Sequence, residues 1–425
     1  MKIQLKILMF LLALSQILLA CTSGAGRAEL VQSKKPRLSN PQPAPVDLQA
    51  LASSNTAFAF DLYQALKDNP GNQFYSPYSI SLALAMTYAG ASGTTASQMA
   101  QALHFTLPPQ SLHTAFNALS LDLAARKDQA SEEVKTPFEL SIANSLWGQR
   151  GETFQPAFLD LLAQNYGAGL RLLDFSADPE RARQAINQWV SQQTQDKIKD
   201  ILPPGTIDAL TRLVLANAIY FKASWWFPFT EGITQPAPFH LLDGSTVQVD
   251  MMHKQTGFEY AETEDYQMVE LPYNSGNISM LVILPRPGKF QQVEANLAPG
   301  ILADFAANEQ RYPVELSLPK FTFESQFNLN AALAGLGMTD AFDPAQADFS
   351  AMTGKRELYI GNILHKAFVA VDEAGTEAAA ATIVIMPVSA LPEKVIEFKA
   401  DRPFIFLIRD RQSGSLLFVG RLVQP

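Results

Sequence analysis

The chain has 425 residues, 47% of them hydrophobic and 17% charged, which is apolar material for one large domain or two smaller ones and carries no sign of global disorder. Its formal net charge is −9, so a phosphate backbone is repelled and a nucleic-acid partner is not expected. Cys21 is the single cysteine, which excludes an intrachain disulfide.

The first twenty residues place Lys2 and Lys6 ahead of an apolar run from Ile7 to Ala20, broken only by Ser15 and Gln16. That run is short for a membrane span, and residues 1–20 read as an export signal. Its removal takes away the two lysines, and the charge goes from −9 to −11 (−9 − 2). The signal ends Leu18-Leu19-Ala20-Cys21, which resembles a bacterial lipoprotein signal. The resemblance implies a lipid on Cys21, attachment to a membrane through it, and an exported, extracytoplasmic chain anchored to the cell envelope. Thr22 rather than Asp follows the cysteine, which points to the outer membrane if the cell is Gram-negative. A chance cysteine behind an ordinary secretory cleavage site is the plainer alternative. Residues 21–46 are polar and broken by Pro36, Pro41, Pro43 and Pro45, and are expected to form an extended tether with no fold of their own.

Folded structure is expected over residues 47–425. Leu51, Phe58, Leu62 and Leu66 lie near helical spacing and predict a first amphipathic helix, stopped at Asp68-Asn69-Pro70-Gly71. Ser76-Pro77, a capping hydroxyl followed by proline in the first turn, starts a second helix through Ile80, Ala83, Leu84 and Thr87 to Gly90. Further helical patterns fill about 95 to 200. Strand-like runs then take over at Leu213 to Phe221, Met268 to Leu271, Ile278 to Leu284, Val314 to Leu318, Phe404 to Ile408 and Leu416 to Val419. Helices first and strands later indicate an α+β domain rather than repeated βαβ units.

Catalytic patterns are poor. Ser317-Leu318-Pro319-Lys320 has Ser-x-x-Lys spacing, but Pro319 in a strand-like run keeps the two side chains off one helical face. Gly335-Leu336-Gly337 lacks the third glycine of a dinucleotide loop and reads as a helix end. The five histidines, His104, His113, His240, His253 and His365, have no zinc-ligand spacing, so neither a metal nor a cofactor is expected.

One stretch is unusual. Glu373-Ala374-Gly375-Thr376-Glu377-Ala378-Ala379-Ala380-Ala381 lies between two strand-like segments and has no large side chain to anchor it. Gly375 offers a pivot, and Thr382 to Ile385 favour a strand. At a period of two, Thr376, Ala378, Ala380, Thr382, Val384 and Met386 fall on one face, small or apolar enough to bury, with Glu377 on the other. An Ala-rich helix or linker is the bland alternative.

The run Val371 to Thr382 resembles the proximal hinge of the reactive-centre loop in serpins, inhibitors that trap serine proteases by inserting that loop into their own main sheet. Asn72 to Ile80 is similar to the family's segment leading into its second helix, Leu215 to Lys222 to its third main-sheet strand, and Phe398-Lys399-Ala400-Asp401-Arg402-Pro403-Phe404 to its C-terminal signature. The likeness runs from about Asp47 to the C-terminus. It implies a serpin fold: α+β, with helices on a large mixed main sheet, further smaller sheets and an exposed loop.

The resemblance also implies sites. Ser76, Ser79, Asn217 and His365 match the "shutter" beneath the main sheet. Trp225, Lys320 and Glu373 match the "breach" where the loop starts to insert. Physically, the four shutter residues are polar groups in apolar surroundings that need mutual partners if buried; the alternative is a helix cap and an ordinary satisfied histidine. Counting forward from the hinge and back from Phe398 in the family's spacing puts the scissile bond at Ser389–Ala390, and Pro387 makes Val388–Ser389 the rival. No Lys or Arg lies between Glu373 and Glu393, so a trypsin-like pocket has nothing to grip. The expectation is a monomeric inhibitor, not an enzyme, whose partners are elastase-like or subtilisin-like serine proteases with a small apolar primary pocket. A non-inhibitory serpin acting as a binding or carrier protein, and an envelope hydrolase of another fold, are the alternatives.

Overall fold

The structure, a computed structural model, describes residues 28–126, 138–273, 276–376 and 394–425. Six longer helices come early in the chain: α1 (Pro45–Leu66), α2 (Pro77–Tyr88), α3 (Gly93–Ala102), α4 (Pro109–Ala125), α5 (Pro156–Tyr166) and α6 (Pro179–Gln193). Five of these six open on proline, whose missing N–H costs nothing in the first turn and whose fixed φ suits it. The Ser76 hydroxyl caps α2 by accepting from the Ser79 N–H, and the Asp178 carboxylate caps α6 by accepting from the Arg181 N–H.

In chain order the strands begin with β1 (Glu29–Val31), β2 (Gln73–Tyr75), β3 (Glu139–Gln149), β4 (Leu170–Leu173), β5 (Leu213–Ser224) and β6 (Gln235–His240). They continue with β7 (Thr246–Glu262), β8 (Tyr266–Pro272), β9 (Ile278–Pro285), β10 (Gln310–Pro319) and β11 (Phe321–Asn328). The last are β12 (Ile360–Val371), β13 (Gly375–Thr376), β14 (Ile396–Lys399), β15 (Phe404–Asp410) and β16 (Leu416–Leu422). Two sheets result. The main sheet has the order β1-β4-β3-β5-β13-β12-β11, and the other strands follow the path β14-β10-β7-β8-β9-β15-β16-β2, with β6 on β7.

The main sheet is mixed: β5 pairs with β3 antiparallel and with β12 parallel. Both of its faces are covered, which is why β5 reads as a near-continuous apolar run, interrupted by Asn217. Leu213, Leu215, Ile219 and Phe221 enter the large core shared with α1, α2 and the second sheet. Val214, Ala216 and Ala218 point the other way, under Ile186 and Val190 of α6. Asn217 lies on the first face.

Two expectations need correction. The stretch from 95 to 200, read as helical, also holds β3 and β4; in β3 alternation is blurred because Ala143, Leu146 and Trp147 are all buried, on opposite faces. The region from 21 to 46, read as an unstructured tether, is docked over its described part. β1 adds an antiparallel edge strand to β4, with Leu30 opposite Arg171. Beyond it the Ser33 hydroxyl donates to Asp160 at 2.5 Å, Lys35 pairs with Asp160 at 2.8 Å, and the Arg37 Nε donates to the buried Asn117 Oδ1 at 2.8 Å. Gly169 permits this close approach: a Cβ there would lie 2.5 Å from the Val31 carbonyl oxygen. A three-residue strand and scattered polar anchors leave no periodic signature.

Candidate functional site

The site is a line down the middle of the main sheet, with a polar row in the centre and a wedge at one end. The row comes from three adjacent strands. Asn144 of β3 stands opposite Asn217 of β5, which stands opposite His365 of β12. The four shutter residues are all buried and come together at the start of α2. The Ser76 backbone N–H donates to the His365 Nε2 at 3.1 Å, so the imidazole proton sits on Nδ1 and faces the Asn217 Oδ1. The Asn217 amide donates to the Ser79 hydroxyl and the Ser79 carbonyl, both at 2.8 Å. Burial holds the His365 imidazole down to about 3, so it is a neutral acceptor at physiological pH.

Asn144 was missed. Its amide donates to the Ser79 carbonyl at 3.0 Å, and its Oδ1 accepts from the Ser79 hydroxyl at 3.1 Å and from the Asn217 amide. A signal existed: with Leu140, Ile142 and Leu146 it occupies one face of β3, an asparagine on an apolar stripe, as Asn217 is in β5.

The wedge lies where β5 and β12 part. They pair directly from Leu213–Ile360 to Tyr220–Phe368. Beyond that, β13 fits between them: Thr376 stands opposite Ala223 on one side and Val371 on the other, and Gly375 opposite Ser224. The start of the hinge is therefore inside the sheet, and Thr376 is wholly buried. Gly375 is required by the fit, because a Cβ there would come within 2.1 Å of the Ala223 carbonyl oxygen.

A turn closed by Asp372 feeds the wedge. Its Oδ1 accepts from the Ala374 and Gly375 N–H groups at 2.9 and 3.1 Å. Trp225 donates its backbone N–H to the Ala374 carbonyl at 2.9 Å and its Nε1 to the Asp372 carbonyl at 3.0 Å. Lys320 meets the Glu373 Oε2 at 2.9 Å, and the Thr234 hydroxyl donates to the Oε1 at 2.7 Å. Burial pushes the Glu373 carboxyl up, but the hydrogen bonds from Lys320 and Thr234 outweigh it and leave it below its ordinary value. The hydrogen bond to Glu373 raises Lys320 in turn. All three breach residues named from sequence thus meet at one place. Asp372, Thr234 and Tyr273, whose ring stacks on Trp225 at 4.5 Å, were not foreseen.

Ser317 and Lys320 do not cooperate. Ser317 hydrogen-bonds the His253 Nδ1 at 3.0 Å across to β7, while Lys320 is taken by Glu373. Gly335 ends a short helix, Asn330–Gly335, as its glycine suggested. Glu377, Ala378, Ala379, Ala380 and Ala381, the bonds Val388–Ser389 and Ser389–Ala390, and Cys21 lie outside the described residues.

Comparison with known proteins agrees with this geometry. The family model described as Serpin (serine protease inhibitor) matches residues 53–425. A serpin-like protein of Thermococcus kodakarensis is 42% identical over 371 residues, spanning 87% of this chain and 84% of its own length. Human leukocyte elastase inhibitor is 40% identical over 390 residues, 89% of this chain and 100% of that protein. Among solved structures, the thermophilic serpin tengpin in its native state aligns with a TM-score of 0.81 at 29% identity, covering 94% of this chain and 100% of that one.

Proposed function

The chain belongs to the serpin family, described as serine protease inhibitors, and from that premise we propose that it is an inhibitor rather than an enzyme and traps serine endopeptidases as a suicide substrate. The observation that carries this reading is the wedge: the start of the hinge already stands as a short strand between β5 and β12, in line with the seam that a longer strand would open and fill. The target's serine hydroxyl attacks the Ser389 carbonyl, the Ser389–Ala390 bond breaks, Ser389 becomes an ester of the enzyme and Ala390 leaves as a free amine. The freed loop then zips down between β5 and β12 and carries the acylated protease with it. Each residue added gains ladder hydrogen bonds on two sides. The small residues from Thr376 to Ala381 present nothing bulky or charged on the inserting face, which favours inhibition over a binding or carrier role.

The bait is small and uncharged at both Ser389–Ala390 and the rival Val388–Ser389, so the targets are elastase-like or subtilisin-like proteases. A relative named leukocyte elastase inhibitor is in keeping with that class. Cys21 is the site of a lipid that holds the inhibitor at the cell envelope; Cys21→Ser should release it from membranes, and its retention there would show a different anchor.

The test is a detergent-stable complex. The chain should form one with elastase-like proteases and not with trypsin, and loop-cut protein should melt at a higher temperature than intact protein. Cut and intact forms that melt alike would mean that the loop does not insert, and that the chain is a non-inhibitory member.

A further inference from the structure

Tyr273 belongs to none of the motifs that identify this chain, yet it touches the first residue of the wedge. It follows the last residue of β8, in the second sheet, and bridges to Trp225 at the end of β5. Its ring is 1% exposed, lies nearly parallel to that of Trp225 (11°), and meets Phe221 edge-on at 5.2 Å. The ring therefore has little freedom. Its hydroxyl lies 2.7 Å from the Thr376 Oγ1, with both residues buried. Burial pushes the phenol well up, so a neutral hydroxyl meets a neutral hydroxyl.

Register is the issue. A buried hydroxyl needs a partner, and the phenol offers one at a single place along the inserting strand. Because side chains alternate in a strand, a slip of one residue reverses every side chain. Such a slip would set Gly375 against the phenol, strand both hydroxyls, and carry the acidic Glu377 to the buried face. Trp225 cannot supply the same check, since its hydrogen bonds go to main-chain carbonyls of Ala374 and Asp372, which any residue would offer.

We propose that Tyr273 is a positioning residue: its hydroxyl receives the hydroxyl of Thr376 and fixes the register in which the hinge enters the main sheet. This rests on the inhibitory reading. The pair is already made in the intact chain, and the register it sets is followed by the rest of the loop after acylation, when insertion competes with hydrolysis of the ester, so it governs how many inhibitor molecules are consumed per protease trapped and leaves the rate of first attack alone.

The experiment compares the full chain with Tyr273→Phe, Thr376→Val, the double variant and Thr376→Ser, titrated against an elastase. Losing one hydrogen bond should raise the stoichiometry of inhibition by about 2- to 10-fold in Tyr273→Phe and Thr376→Val. The double variant should be no worse than the worse single, Thr376→Ser should match the wild type, and the association rate should hold. An unchanged stoichiometry in Tyr273→Phe, or effects that multiply in the double variant, would overturn the proposal. Should Tyr273→Phe fail to fold, the Thr376 variants decide, because Thr376→Val exchanges only the hydroxyl for a methyl and Thr376→Ser removes only the methyl. If the wild type traps nothing, the inhibitory reading fails on its own. Insertion is then followed by the rise in melting temperature after loop cleavage, and an equal rise at an equal rate in wild type and Tyr273→Phe would overturn Tyr273 as the register gauge.

Discussion

Two very short strands are added to the main sheet, and they behave as opposites. β1 joins at the edge, on β4, and is held by side chains beyond it: Ser33 and Lys35 on Asp160, Arg37 on Asn117. β13 joins in the middle, between β5 and β12, and its flanking turn is held close at hand, by the Asp372 carboxylate, by hydrogen bonds from Trp225 and Thr234 and by one ion pair. An edge strand completes a border and has nowhere further to go. A central one stands at the mouth of a seam closed only by the pairing of β5 with β12 and the polar row beneath it. The same ladder chemistry thus serves as a clasp in one place and, on the inhibitory reading proposed above, as the first tooth of a zip in the other.

The largest test is Thr376→Arg. An unpaired guanidinium at a wholly buried position costs roughly 3–5 kcal/mol, enough to expel β13 and slow insertion below deacylation. The variant should be cut as a substrate, with no detergent-stable complex in a gel assay. Inhibition at unchanged stoichiometry would mean that the centre of the sheet is no more demanding than its edge.

Next comes the seam. His365 is held down to about 3 and His113, one turn before Asn117 on α4, to about 4, both by burial. A base whose folded value lies below its ordinary 6.5 leaves stability intact above pH 6.5 and erodes it as pH falls toward the folded value. Each contributes about 1.4 kcal/mol per pH unit, so His365 alone removes ~2 kcal/mol between pH 6.5 and 5. Urea midpoints should fall over that range, and His365→Gln should flatten the slope by about one proton. A slope indifferent to that change would place the acid sensitivity at the edge, with His113.

These regions were unequally legible. That Ser76, Ser79, Asn217 and His365 gather, and that Trp225, Lys320 and Glu373 gather, could be read because chemically odd residues sit at fixed places, such as Asn217 in an apolar strand; of the hinge only Glu373 to Thr376 lie among the described residues. β1 could not, since three residues make no period and their anchors lie 80 to 130 positions away in α4 and α5. β3 was lost among helices because residues on both its faces are buried. Tyr273 gave no sign, because an aromatic at a strand end is ordinary core material; only its partner makes it special.

The clasp itself can be opened. Arg37→Ala removes a charge-assisted hydrogen bond to Asn117, a residue with no solvent exposure, although Asn117 keeps its bond to the Leu38 carbonyl. The expected loss is about 1–2 kcal/mol in thermal or urea unfolding, with the stoichiometry of inhibition unmoved. A rise in stoichiometry would show that the edge and the centre of the sheet are coupled.

The smallest effect is expected where the wedge meets solvent. Lys320 is 38% exposed and Glu373 9%, so the pair is screened on the lysine side, and Lys320→Ala should cost only ~0–1 kcal/mol at neutral pH. Glu373 keeps the Thr234 hydroxyl as a partner, which limits the penalty of leaving it. Its carboxyl lies below the ordinary 4.5 in the fold, so whatever the pair contributes is present above that value and fades as pH falls further. The difference between wild type and Lys320→Ala should therefore shrink when melting is repeated in acid. If Lys320→Ala instead costs more than Arg37→Ala, the mouth of the seam is held by its ion pair rather than by the hydrogen bonds of the turn, and the contrast between clasp and zip would have to be drawn the other way.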